Sequence, residues 1–260
     1  MKKAYSACIR LSALCFALIL GGCATGPTLV PESMLASEAA GQFEQMKREM
    51  TVSTDPAYVE PLMRVGERIA EVATPYMDRV DWEFVVFADD TINAFAMPGG
   101  KIGFYTGIMD LAESEDELAV VMGHEVAHVL LKHGNQRVSA ELLRIAGAAA
   151  LAYGIRDQDQ HLQAAILAGY GLGSEIGVML PYSRHHETEA DEVGLILMFM
   201  AGYDPDAAAR FWSRMEELSD SRTPQWLSTH PHPGNRVRNL ERLAAELKAN
   251  PPESLGIRRR

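Results

Sequence analysis

Apolar residues at Val59, Leu62, Met63, Val65 and Ile69 recur close to every 3.6 positions, which predicts an amphipathic helix over 55–72. A second amphipathic segment precedes it over 31–50. Past residue 80 the period changes. Trp82-Glu83-Phe84-Val85-Val86-Phe87, Asn93-Ala94-Phe95-Ala96-Met97 and Lys101-Ile102-Gly103-Phe104-Tyr105-Thr106 read as strands, with Pro98-Gly99-Gly100 turning between the last two. They predict a small, mainly antiparallel sheet. Ser114 followed by Glu117 forms a capping box, so a helix is expected over 118–131, with Gly134 as its stop. Two stretches rich in Ala and Gly, 145–155 and 162–180, read as helices that use small residues for close packing. Gln163, Ser174 and Glu175 make the second a poor membrane span. Asp204-Pro205 marks another helix start, and a last helix is expected over 236–248. The sum is an α+β, predominantly helical fold with no internal repeat.

Composition narrows the class. At 260 residues, 47% hydrophobic and 23% charged, the chain can bury one sizeable core and is not disordered. Its formal net charge of −11 repels phosphate backbones, which excludes sequence-independent nucleic-acid binding. Cys8, Cys15 and Cys23 all lie near the start, so no disulfide scaffold is available to the rest. Lys2, Lys3 and Arg10, an apolar stretch over 11–20 and then Gly21-Gly22-Cys23 have the layout of an export signal. Leu20-Gly21-Gly22-Cys23 resembles a bacterial lipobox, which makes Cys23 the lipid-attachment residue. With Ala24 next, the outer membrane is the expected address in a Gram-negative source. The expected organisation is a signal over 1–22, a lipid-attached tether and N-terminal helix over 23–53, one folded domain over 54–248 and a tail over 249–260.

His124-Glu125-Val126-Ala127-His128 carries the chemistry. On a helix, residues four apart share a face, so both imidazoles can grip one zinc ion, and Glu125 can reach the water that such an ion activates. A charged Glu in so apolar a helix needs a partner, and a zinc site is one. The third ligand lies elsewhere: Leu131 and Gly134 stand where the longer metzincin motif has its glycine and third histidine, and His133 misses by one residue. Glu187-Thr188-Glu189-Ala190-Asp191 offers an alternative. Of the i, i+4 pair Glu187 and Asp191, one can bind the ion while the other accepts a hydrogen bond from a ligand histidine.

These blocks, with Asn93 to Gly100, Ser183-Arg184-His185-His186 and His230-Pro231 followed by Arg236, resemble the gluzincin metallopeptidases of the HtpX, BepA, LoiP and CAAX prenyl protease group, metallopeptidase family 48. The resemblance implies a gluzincin-type fold with one zinc ion per chain, held by His124, His128 and Glu187. It makes Glu125 the general base and Asp191 the anchor of a ligand histidine. His230, with Arg236 beside it, either stabilises the oxyanion or latches the open coordination position. His185 and His186 receive no role and are expected at the surface or in the cleft. The substrate would be an extended polypeptide lying along Asn93, Ala94, Phe95 and Ala96. The short remainder after Arg236 and the export signal bring envelope lipoproteins of the LoiP kind closest. The function implied is a zinc endopeptidase acting on envelope proteins in quality control. The alternative is a chaperone-like zinc protein assisting outer-membrane protein assembly, with proteolysis latched or minor.

Overall fold

In the computed structural model of the protein, which describes residues 26–175, 179–219, 224–230 and 235–256, helix α1 (Glu32–Glu49) and helix α2 (Pro56–Ala73) come first. Helix α2 starts where the Asp55 carboxylate accepts the Ala57 N–H, and it buries Leu62, Val65, Ile69 and Ala73 as their spacing predicts. The leader, Cys23, Pro231 and the three C-terminal arginines lie outside the described residues.

Strands β1 (Glu83–Phe87), β2 (Ala94–Met97) and β3 (Lys101–Tyr105) form one sheet in the order β1-β3-β2. β2 and β3 are the expected antiparallel pair, turning through Gly99 and Gly100 at φ 87° and 93°, where glycine carries no Cβ penalty. β1 pairs parallel to β3, so the sheet is mixed instead of mainly antiparallel. The connection after β1 explains this. Thr106 Oγ1 donates to Asp89 O (2.8 Å), the Gly107 N–H donates to the same carbonyl (2.9 Å), and the Tyr105 N–H donates to Asn93 O (3.1 Å). Tied to the end of β3, this segment cannot close a hairpin, and β3 enters between β1 and β2. Strand β2 is left with β3 on one side and no strand on its other side among the described residues.

After the short helix α3 (Thr106–Leu111), helix α4 (Glu115–Leu130) starts as the capping box predicts: Ser114 Oγ accepts the Glu117 N–H. The Glu117 carboxylate reaches back to the Glu113 N–H (2.7 Å) and pairs with Arg214. Nearly every residue of α4 is buried. Its stop is not Gly134. Lys132 takes the left-handed conformation (φ 59°), and Gly134 falls inside helix α5 (His133–Gly154), where a Cβ would lie 3.3 Å from Pro98 Cγ.

Helix α6 (Gln160–Ser174) folds back on α5, and Tyr170 Oη donates to Arg144 O (3.2 Å). A Cβ on Gly147 would lie 2.3 Å from that hydroxyl, so a larger residue there would push the end of the Tyr170 side chain aside. The pair still exposes Leu142, Leu143, Ile145, Tyr153, Leu162 and Leu172. No helix among the described residues is long and apolar enough to cross a membrane.

Helix α7 (Leu180–Met200) crosses α4 backbone to backbone. A Cβ on Gly123 would lie 2.6 Å from Gly194 O. Helix α8 (Ala207–Ser219) follows an Asp204 carboxylate that accepts the Asp206 N–H, and it buries Phe211 and Trp212 in the core shared by α2, α4 and α7. Helices α9 (Gln225–Thr229) and α10 (Arg236–Ala249) close the described chain.

Candidate metal centre

The α4 helix sets His124 and His128 one turn apart, with their Nε2 atoms 3.0 Å from each other. Because α7 crosses at Gly194, the turn two before it brings Glu187 over both rings: its Oε2 lies 3.2 Å from His124 Nε2 and its Oε1 3.6 Å from His128 Nε2. His230, just past α9, turns Nδ1 inward to 3.0 Å from Glu187 Oε2 and 3.2 Å from His124 Nε2. These four buried side chains can each offer one ligand atom within 4.8 Å of the others.

The donor set suits a cation. Imidazole nitrogens and a carboxylate converge on one point, and Glu187 Oε1 is buried without a hydrogen-bond partner. Lone pairs buried in this way cost free energy unless something positive meets them. Two histidines and a glutamate are a set that binds zinc while leaving a coordination position for chemistry.

The electrostatics agree. Burial alone would raise the Glu187 pKa, but hydrogen bonding by His124, His128 and His230 holds it far below the usual carboxylate range. Burial would lower His124, yet Asp191 and Glu187 override it and raise it to about 9. His128 goes the other way, pushed down by burial and by the charge of His124. An arriving metal ion would therefore displace a proton from His124.

Behind His124 its Nδ1–H donates to Asp191 Oδ1 at 3.0 Å, the bond that fixes which nitrogen faces the centre. Burial would raise Asp191, but the Arg236 charge and the bond from His124 lower it. The resemblance set Arg236 beside His230; the structure gives it contacts with Asp191 and Trp212. Fully buried, it donates to Asp191 and lies 3.2 Å over the Trp212 ring, so it supports the anchor from behind the ligand.

Glu125 is 1% exposed, and its Oε1 accepts from Trp226 Nε1 at 3.0 Å and sits 3.5 Å from His230 Nε2. Trp226 escaped the motif reading; its only sequence signal is an aromatic ring four residues ahead of His230. Its backbone N–H donates to Ile92 O (3.1 Å), which ties α9 to the segment entering β2. Asn93 and Ala94 of that segment are buried, while Phe95 and Ala96 are partly exposed.

A second group was also missed. His133, His186 and Glu189 lie together behind His128. His185 is exposed and meets Glu189 at 3.4 Å, but His186 is buried, with Nε2 3.1 Å from Gln136 Oε1 and its ring stacked on His133 at 4.1 Å. His186 is thus neither a surface nor a cleft residue. Burial pushes it down to about 3 and lowers His133 as well. Between the two glutamates the geometry is unambiguous: Glu187 faces the first group and Glu189 the second.

The sequence profile of peptidase family M48 matches residues 56–244. The chain is 36% identical over 187 residues to the mitochondrial metalloendopeptidase OMA1 of Schizosaccharomyces pombe, covering 70% of this chain and 52% of that protein. It is 32% identical over 229 residues to the mitochondrial metalloendopeptidase OMA1 of Homo sapiens (83% and 41%). Against the putative beta-barrel assembly-enhancing protease of Vibrio cholerae, identity is 30% over 235 residues (86% and 47%). The chain spans about half the length of the curated relatives it matches.

Proposed function

The chain belongs to peptidase family M48, and on that premise we propose that it is a zinc-dependent endopeptidase of the cell envelope, acting on extended polypeptides in protein quality control. The observation that carries this reading is the convergence of His124, His128 and Glu187 on one point with the Glu125 carboxylate beside it. A zinc ion held by those three residues would supply Lewis acidity, lowering the pKa of water toward about 7 and polarising the scissile carbonyl.

The chain's own groups do the rest. Asp191, backed by Arg236, holds His124 in the tautomer that presents Nε2. Glu125 takes the proton of the attacking water and delivers it to the leaving amine nitrogen. Trp226 Nε1–H aims the Glu125 carboxylate. The open edge of β2 offers main-chain hydrogen bonds to an extended substrate, which gives affinity with little sequence demand.

His230 acts as a latch. Its Nδ1 points into the ligand group while its Nε2 approaches Glu125, so one side chain would fill the position that three protein ligands leave free and would stand against the general base. Incubating the purified protein with casein, with and without chelator, tests the function. Chelator-sensitive cleavage is expected, and His230→Ala is expected to cleave faster than the parent. Slower cleavage by that variant would make His230 an oxyanion donor. No cleavage by either protein with zinc bound would favour the chaperone-like reading, assistance to outer-membrane assembly.

The envelope address rests on a lipid at Cys23. Supporting it, the Gly26 N–H donates to Gln136 Oε1 (2.9 Å) and the Leu29 N–H to Ser139 Oγ (2.8 Å), so the tether runs along the root of α5. Mass spectrometry of membrane-fraction protein should find Cys23 as a lipidated N-terminus; an unmodified cysteine within an uncleaved chain would overturn this address.

A further inference from the structure

His133, His186 and Glu189 stand directly behind His128, and three such donors within 4.8 Å could in principle hold a cation of their own. Proton placement argues against it. A His128 that gives Nε2 to a metal must carry its proton on Nδ1. That Nδ1 lies 2.9 Å from Nδ1 of His133, so the bond between the rings runs from His128 to His133. His133 then accepts on Nδ1 and, as a neutral imidazole, carries its own proton on Nε2. This nitrogen is buried, makes no hydrogen bond of normal length and lies 3.5 Å from Glu189 Oε2, an acceptor. A cation on Nε2 would move the His133 proton to Nδ1, where two N–H groups would meet head-on at 2.9 Å.

We infer that His133 is a positioning residue for the metal centre, the acceptor that fixes the tautomer and ring plane of His128, with Glu189 holding the His133 proton outward. The inference rests on the proposed metal centre. It makes the two ligand histidines unequal. His124 donates to a carboxylate, which adds negative charge behind the ligand; His128 donates to a neutral ring, which orients it without that charge. The root of α5 is shaped for the task. The left-handed Lys132 reverses the chain immediately after α4, and the next residue is His133, five positions from His128 and 1% exposed. His186 stacks on its face at 4.1 Å and keeps the ring from turning.

The test compares variants at position 133 by zinc affinity, measured in competition with a chromophoric chelator, and by the visible spectrum of the cobalt-substituted protein. His133→Phe keeps the ring and removes the acceptor, and it should weaken zinc binding by about 10- to 100-fold, the usual loss when such a partner is removed. His133→Asn puts an amide oxygen near the lost Nδ1 and should restore most of the affinity and the parental cobalt spectrum. Parental affinity in His133→Phe, or equal weakening by Phe and Asn, would overturn the inference. So would a parent that binds two equivalents of zinc and loses one in His133→Phe, because the cluster would then be a cation site. Where His133→Phe does not fold, Glu189→Ala at its partly exposed position carries the test: weaker zinc binding is expected, and unchanged binding refutes the relay. A parent that binds no zinc at all would refute the metal centre, and this inference with it.

Discussion

Glu125→Gln is expected to bind zinc and fold as the parent does while hydrolysing peptide bonds about 10²- to 10⁴-fold more slowly, the range a positioned general base contributes. The substitution is nearly isosteric at a site only 1% exposed, so it opens no cavity. The amide oxygen still accepts the Trp226 Nε1–H, the contact that now aims the carboxylate. What disappears is the ability to take a proton. The measurement is kcat on a quenched fluorescent peptide, together with metal content and a thermal melt on the same preparation. A rate within a few-fold of the parent would sink the assignment of Glu125. Loss of zinc with loss of rate would say that Glu125 helps hold the site together.

The second large effect is expected at a residue that contributes no side chain to the site. Gly194→Ala should destabilise the fold by about 1–3 kcal/mol, as overpacking does in an interior that cannot give way. A Cβ there would lie 2.8 Å from Gly123 C and from His124 N, and 2.9 Å from Gly123 O. All three are backbone atoms, so no side chain can swing aside and the two helices must part. One of the three atoms displaced on α4 belongs to His124, and α7 carries Glu187 two turns away. Stability and zinc content should therefore fall together. Gly169→Ala is the control, since a Cβ there meets nothing within 4 Å and α6 should gain up to about 1 kcal/mol from the better helix former. A Gly194→Ala protein with parental melting temperature and full zinc would show that the helices tolerate the wider crossing.

The pairing of these positions shows where sequence reading works and where it stops. The i, i+4 spacing of His124 and His128 is a property of one helix, and any helix in that register brings the rings together. The same holds for the buried face of α2 and for the Ser114 cap, whose forces act within a few residues. The parallel pairing of β1 with β3 was hidden because it depends on Thr106 and Gly107 capturing the Asp89 carbonyl, a contact made only once β3 is in place. Gly134 looked like a helix stop and is a packing residue against Pro98, while Lys132 accepts the left-handed turn.

By itself the sequence determined a helical α+β domain, the pair of imidazoles on one face, the Glu beside them and an acidic pair on a later helix. Those features need only backbone periodicity and local hydrogen bonds. The family resemblance pointed to Glu187; the tertiary structure supplies the physical reason that Glu187, and not Glu189, meets the imidazoles, which is the rotation of α7 where its backbone meets α4 at Gly123 and Gly194. It also decided that Arg236 backs Asp191, that Trp226 aims Glu125 and that His133 stands behind His128. Each of these is a contact between elements whose relative orientation is set by the whole core, and no local pattern along the chain encodes it.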